Sequence, residues 1–393
     1  MKTRRSAIVQ FQRCPRSRWW LYEYQGVGLE PIRQSIPLAT GTAVHMGFAL
    51  LLKGESIQTA VSTTLSEYDK VCESRGLDVS DLEAYSFVYR EQRALIEALI
   101  RLSALRVVPK LLETYEILEV ERHGEVLLTA AVDFGYRPDA LMRHREDGDL
   151  YILSLKTVGQ YTKLTEESFR VDMQGISEVW AREQDGLGEK VRGVQMVYLV
   201  KGKKVQQEDQ PKDDIKRTRI DCPLIWGYKD QSFPPKMALR RKWQCSEPHP
   251  MRRSKWYPNG ECPGDGRNHL LGEAWDAFPV WETLGVEEWM RLLDSGELGQ
   301  GALDQNWVIP VPKFRNQEHI DHWLTQVKYQ ESKVAESVNL DEQFPQFTHT
   351  CNQYFGGKCP CYEICWGTAQ EPLESGLYQL RQPETLEAGE EEE

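Results

Sequence analysis

The stretch RPDALMRHREDGDLYILSLKT, residues 137–157, decides how this chain is read. Asp147-Gly148 within it is the dipeptide favoured in two-residue type I′ hairpin loops. A hairpin closed there pairs positions that sum to 295, which sets Asp139 opposite Lys156. Side chains alternate along a strand, so Ser154 and Lys156 share a face. A carboxylate and an ammonium are therefore expected together at the open end of a rigid element. A carboxylate can hold a divalent ion, and a lysine beside it can stabilise charge building on a phosphate, the two requirements of metal-assisted phosphodiester cleavage. Taken alone, an Asp and a Lys facing across a hairpin are a common surface salt bridge worth little. The residues around the pair decide between the two readings.

Outward from the hairpin, Tyr115 to Glu121 and Val126 to Phe134 alternate as strands do, and Val191 to Lys201 is rich in β-branched residues. Phe169 to Gln184 has helical spacing and carries Gln174, Glu178 and Trp180. Upstream, Trp19, Trp20, Tyr22 and Tyr24 suggest a short aromatic helix. Gly41-Thr42-Ala43-Val44-His45 opens an apolar helix, and Leu82 to Leu112 reads as one or two long helices. Helices, then three or four strands, a helix and another strand predict an α/β sandwich around a mixed sheet. Residues 202–220 are a charged loop and 221–310 an irregular region rich in Pro, Gly and Trp. A helix over 315–338 places Ile320, Trp323, Leu324 and Val327 on one face. The expected division is a helical N-terminal part (1–115), a core (116–205), an insertion (206–335), a cysteine cap (336–370) and an acidic tail (371–393).

A chain of 393 residues with 40% hydrophobic and 27% charged residues fits a globular protein with more than one module. No apolar run is long enough to span a bilayer, and Gln10, Gln12 and Arg13 interrupt what would be a secretory signal, so a cytoplasmic, non-membrane protein is expected. The net charge of −12 excludes a uniformly basic surface but not a local basic groove. Lys201, Lys203 and Lys204, then Arg240-Arg241-Lys242 and Arg252-Arg253 with Lys255, supply cations. Trp243 and Trp256 among them suit phosphate contact with base stacking, or are buried indoles within a solvated surface.

Four of the nine cysteines crowd into Cys351-x7-Cys359-x-Cys361-x3-Cys365. Inert buried thiols do not account for that density, which points to a structural metal or an iron–sulfur cluster. Spacing does not choose between the two. Cys245-x3-His249 with Cys262-x6-His269 offers a second zinc candidate against two thiols and two surface histidines. Glu119, Glu121 and Asp133 read as surface or salt-bridged carboxylates.

In their order along the chain, these motifs resemble the PD-(D/E)xK nuclease superfamily, in particular RecB-like exonucleases of the CRISPR-associated and phage type with C-terminal iron–sulfur cysteines. Cys14-Pro15-Arg16 resembles the N-terminal cluster cysteine, and Gly41-x3-His45 the helix whose His reaches the metal. Asp139 matches the acidic ligand, Lys156-Thr157 the catalytic Lys and its follower, and Gln174 the helical Gln. Cys351, Cys359 and Cys365 match the C-terminal triplet, with Cys361 as an alternative. The resemblance implies a restriction-endonuclease-like core, a mixed central sheet flanked by helices, with a helical N-terminal part and a cysteine-rich cap. It implies a metal-dependent deoxyribonuclease using Mg²⁺ or Mn²⁺, an exonuclease acting on DNA ends or single strands, in a bacterial or phage-infected cell. It also implies a [4Fe–4S] cluster on Cys14, Cys351, Cys359 and Cys365, with zinc as the alternative, and protein partners in a recombination or replication complex.

One position departs from the pattern. Where the family has Asp or Glu two residues before the Lys, this chain has Ser154. A hydroxyl is a poor substitute for a carboxylate on a hard divalent ion. In one reading Glu178, one helical turn beyond Gln174, replaces it, so that His45, Asp139, Glu178 and the Leu155 carbonyl hold the metal. In the other the site is impaired, and the protein is a nuclease-like subunit that binds DNA without cutting.

Overall fold

The computed structural model describes residues 2–32, 36–74, 83–159, 161–162, 165, 167, 173–186, 188–201, 285–294, 307–335, 347, 351, 359–367 and 371–381. The chain opens with strand β1 (Lys2–Arg4) and helices α1 (Arg5–Arg13) and α2 (Pro15–Arg18), followed by strand β2 (Leu29–Pro31). Four helices follow: α3 (Ile36–Leu52), α4 (Ile57–Ser74), α5 (Glu83–Leu102) and α6 (Val108–Thr114). Strands β3 (Tyr115–Val120), β4 (Gly124–Thr129), β5 (Val132–Tyr136), β6 (Ala140–His144) and β7 (Leu150–Val158) come next. Helix α7 (Met173–Gln184) leads to β8 (Val191–Val200). Beyond it lie α8 (Val286–Asp294), β9 (Trp307–Val308), β10 (Lys313–Phe314), α9 (Gln317–Ala335), α10 (Tyr362–Cys365) and β11 (Tyr378–Leu380).

The principal sheet has the order β10-β8-β7-β6-β3, with β9 also on β8. β7 and β8 run parallel and the remaining pairs antiparallel, so the sheet is mixed. A parallel pair needs a crossover, and the segment carrying α7 supplies it. Both central strands are buried almost throughout, which explains their near-continuous apolar sequence. Tyr151, Leu153 and Leu155 of β7 pack with Val197 and Leu199 of β8 against α3, α4 and α5. Ile152, Met196 and Tyr198 turn the other way, onto Val179 and Trp180 of α7 and Trp323 and Val327 of α9. The architecture is thus a mixed α/β fold with helices on both faces of one sheet. No helix among the described residues is long and apolar enough to cross a membrane.

Several sequence expectations change in detail. The run Val126 to Phe134 is two strands, because the chain turns at Ala130-Ala131 with the Ala131 N–H donating to Thr129 Oγ1 (3.3 Å). These two strands leave the main sheet and form a second one with β1. Helix α8 and strand β9 lie within the stretch expected to be irregular. Gly41 does not open its helix but sits inside α3. A Cβ there would stand 3.2 Å from Thr157 Oγ1, so glycine lets α3 press onto β7 and brings His45, one turn on, over the sheet.

The hairpin register also differs. β6 pairs with β7 at positions that sum to 293, from Ala140 opposite Leu153 to Arg143 opposite Leu150. The loop is four residues, 145–148, closed by the His144 N–H on Asp149 O (2.8 Å) and the Gly148 N–H on His144 O (3.0 Å). The Asp147 carboxylate accepts the Asp149 N–H (3.0 Å), and Gly148 has φ +77, a left-handed turn residue. A slip of two keeps every side chain on its face. Asp139 therefore falls opposite Ser154 rather than Lys156, and Lys156 becomes its diagonal neighbour.

The two ends of the described chain meet: β2 pairs with β11, and the Leu21 and Leu29 side chains pack with Cys361, Ile364 and Tyr378. Arg18 is fully buried and donates to both carboxylate oxygens of the equally buried Glu331 on α9, at 2.5 and 2.9 Å. Removing one partner of such a pair strands a charge and costs about 3–5 kcal/mol.

Candidate metal centre

The end of β3 and the start of β6 meet the middle of β7 in one cross-strand row. Val120, Ala140 and Leu153 are in register across β3, β6 and β7. The next row is Glu121, Asp139 and Ser154, and its first pair is joined by the Glu121 N–H donating to Asp139 O at 3.1 Å. Helix α3 lays His45 onto this row. Its ring N–H donates from Nδ1 to Asp139 Oδ1 at 3.1 Å, and the other oxygen, Oδ2, accepts the Leu155 N–H at 2.6 Å. The amide of Leu155 is thus committed to Asp139.

His45, Glu121 and Asp139 each offer a ligand atom within 4.8 Å of the others, and among the described residues they are the one group that does so. One imidazole nitrogen and two carboxylate oxygens suit Mn²⁺ or Mg²⁺. From the sequence Glu121 reads as a surface or salt-bridged carboxylate on a neighbouring strand, and it is ion-paired with Arg137, but its place beside Asp139 was not expected. The signal that would have found it is pairing of β3 with β6, which skips the two intervening strands. Glu121 has φ 54, uncommon for a residue with a Cβ, and its Oε2 is 3.0 Å from Arg137 Nε.

On the other side of Asp139, Lys156 Nζ donates to Gln174 Oε1 on α7, and Gln174 Nε2 donates to Glu178 Oε1 at 2.9 Å. Lys156, Gln174 and Glu178, three of the residues expected in the site, therefore form one chain ending beside Asp139. Glu178 is 6% exposed and its Oε2 has no hydrogen-bond partner among the described residues. The Ser154 Oγ, on a fully buried residue, has none either. Unsatisfied buried polar atoms are rare in folded proteins, and an unseen water or ion is among their explanations.

The electrostatics separate the carboxyls. Burial pushes the Asp139 carboxyl up, but the hydrogen bond and charge of His45, the Leu155 amide and the Lys156 charge outweigh it and hold it below its ordinary range. Burial raises Glu178 to about 8; the Asp139 charge adds to this, and Gln174, Lys156 and Arg5 oppose it. Burial and then the Asp139 charge raise Glu121 to about 7, against Arg137, His45 and Lys53. Lys53, Arg137, Arg5 and Lys156 thus stand round an acidic centre.

At the cap, the Cys361 side chain is 1% exposed and its thiol lies 3.8 Å from Ser17 Oγ. The neighbouring Cys361 thiol holds Cys359 down to about 6 against the effect of burial, and Cys361 is itself raised by Cys359 and by burial. The Cys359 N–H donates to Cys351 O at 2.8 Å, and the Cys365 N–H to Cys361 O at 3.0 Å. Cys14 is buried three residues before Ser17. The N-terminal and C-terminal cysteine segments are therefore adjacent, and a low-pKa thiol fits thiolate ligation. Cys245, His249, Cys262 and His269 lie outside the described residues, as do the basic and Trp-bearing segments of 203–256; Lys201 is described and partly buried.

No protein-family model matches this chain, and no curated protein matches it in sequence.

Proposed function

We propose that this chain is a divalent-metal-dependent deoxyribonuclease of the PD-(D/E)xK type, with a restriction-endonuclease-like core. The observation that carries the reading is the convergence on Asp139 of an imidazole from α3 and an amine from β7. Asp139 and His45 would hold Mg²⁺ or Mn²⁺, which when bound supplies a water of lowered pKa and a counter-charge for the phosphate. The Leu155 amide fixes the Asp139 carboxylate, so its free lone pairs keep one direction. Lys156, held by Gln174, would set its positive charge against charge developing on a phosphate oxygen. Glu178 keeps the Gln174 amide in the orientation that presents its oxygen to Lys156. Arg137, Lys53 and Arg5 would meet flanking phosphates, so the substrate is a DNA end or single strand threaded past the sheet edge. The cysteine cap would hold a [4Fe–4S] cluster, or zinc, as a staple of the two chain ends, and partners in recombination or replication complexes fit such a role.

Ser154 favours a second reading, a DNA-binding subunit that does not cut, because the position of the expected carboxylate holds a hydroxyl. Labelled single- and double-stranded DNA incubated with the full chain in Mn²⁺ separates the two. Under the nuclease reading wild type cuts and Lys156→Ala is about 10²–10³-fold slower, with DNA affinity little changed. DNA bound equally by both proteins and cut by neither would establish the second reading. Visible charge-transfer absorbance and iron content in anaerobically purified protein test the cluster, and a colourless zinc protein would replace it.

A further inference from the structure

We infer that Glu121 is a metal ligand and supplies, from the opposite neighbour of Asp139, the carboxylate that position 154 lacks. The inference rests on the proposed metal-dependent reading and changes where its ion is held. Register is the first support. Glu121 and Asp139 lie one residue beyond the last paired row, Val120–Ala140–Leu153, and the Glu121 N–H bonds Asp139 O, so continuing that register sets Glu121 and Ser154 on either side of Asp139, one inter-strand spacing of roughly 4.8 Å each. An acid moved from one flank to the other stays next to Asp139. It loses the neighbourhood of α7 and gains that of α3, where His45 stands.

Donor chemistry is the second support. His45, Glu121 and Asp139 already place one nitrogen and two oxygens within mutual reach of one small cation. Glu178 has no comparable place: it is enclosed by α7 and the sheet, and its one satisfied oxygen serves Gln174. A third observation is independent of the acids. The Ser154 hydroxyl is wholly buried, in register with Asp139, and without a partner among the described residues, as is Glu178 Oε2. Buried polar atoms of that kind are met by water or an ion's water shell when the direct ligands lie on the far side of Asp139. The competing account of Glu121 is its ion pair with Arg137, which is half exposed and contributes little by itself.

The experiment is Mn²⁺ binding to the metal-stripped full chain, followed by the electron paramagnetic resonance signal of free Mn²⁺. The proteins are wild type, Glu121→Gln, Glu178→Gln, Ser154→Asp and the double variant Glu121→Gln/Ser154→Asp, each checked for folding by circular dichroism. Glu121→Gln is expected to weaken Mn²⁺ about 10–100-fold or more, since even residues that only support a ligand cost that much. Glu178→Gln is expected to shift it far less, and Ser154→Asp in the Glu121→Gln background to recover most of the loss. Wild-type affinity in Glu121→Gln, or loss confined to Glu178→Gln, overturns the inference. So does failure of the folded wild type to bind Mn²⁺. DNA cleavage is read separately. If Mn²⁺ follows Glu121 but wild type cuts nothing, the ligand assignment stands and the nuclease reading falls. If wild type cuts and Glu121→Gln binds Mn²⁺ and cuts as well, the reverse holds.

Discussion

Glu121 and Glu178 are two acids raised first by burial and then by the same neighbour, Asp139, yet they sit in opposite settings. Glu121 ends a strand, keeps 24% of its side chain exposed and pairs with Arg137, with His45 and Lys53 nearby. Glu178, carried on α7, is buried, and among the described residues its hydrogen-bond partner is Gln174. A partly exposed carboxyl paired with a cation can exchange a proton for a metal ion. One shut off from solvent keeps its proton and acts as a hydrogen-bonding group, because the charges of Lys156 and Arg5 do not offset its burial beside Asp139. The comparison divides the site into an arm that binds and an arm that positions, joined at Asp139.

The sharpest way to break this division is the pH dependence of stability. Glu178 is raised from an ordinary 4.5 to about 8 in the folded chain. Between those values the folded state binds the extra proton, so its contribution is complete below about pH 4.5 and is lost as pH rises through about 8. At about 1.4 kcal/mol per unit, the loss is on the order of 5 kcal/mol. In metal-free protein, denaturant unfolding of wild type should weaken relative to Glu178→Gln between about pH 5 and pH 8.5. Parallel curves for the two proteins would mean that Glu178 is ionised in the fold, and it would then be as fit a ligand as Glu121.

A smaller effect is expected one step away. Gln174 receives the Lys156 amine and donates to Glu178, so Gln174→Ala leaves every proposed ligand in place and releases the Lys. Groups that orient a functional side chain cost about 10–100-fold when removed. Turnover on DNA should fall by that factor, with Mn²⁺ affinity unchanged. A loss of Mn²⁺ binding in this variant would tie the α7 arm to the ion and dissolve the distinction.

What could be read from sequence follows the same division. Local pattern carried β7 and α7, and the family resemblance singled out Lys156 and Gln174, but Glu178 was expected on the metal and instead hydrogen-bonds Gln174. The pattern carried the His45 helix through Gly41, though not that Gly41 serves helix–strand contact from inside α3. It placed Asp139 opposite the wrong residue, since Asp147-Gly148 reads as a two-residue turn while the Asp147 carboxylate builds a four-residue one. Because the slip was even, the face survived, and Lys156 stays a diagonal neighbour of Asp139. Glu121 stayed hidden because its nearness to Asp139 depends on β3 passing over the β4–β5 hairpin to reach β6, a non-local pairing that no local periodicity records.

The finest test of the comparison is the cation on the Glu121 side. Arg137 is 53% exposed and holds Glu121 at 3.0 Å, whereas Glu178 feels Arg5 only through its charge. Arg137→Ala removes a partly solvated pair, so stability should change by less than about 1 kcal/mol. The Arg137 charge lowers Glu121, so its loss lets that carboxyl rise towards Glu178, and Mn²⁺ binding should then need a slightly higher pH. If Arg137 also meets a DNA phosphate, the slope of log affinity against log salt should become shallower by about 0.7–0.9. An unchanged slope with a shifted Mn²⁺ profile would assign Arg137 to Glu121 alone. An unchanged Mn²⁺ profile with a reduced slope would assign it to the substrate, leaving Glu121 tuned by His45 and Lys53.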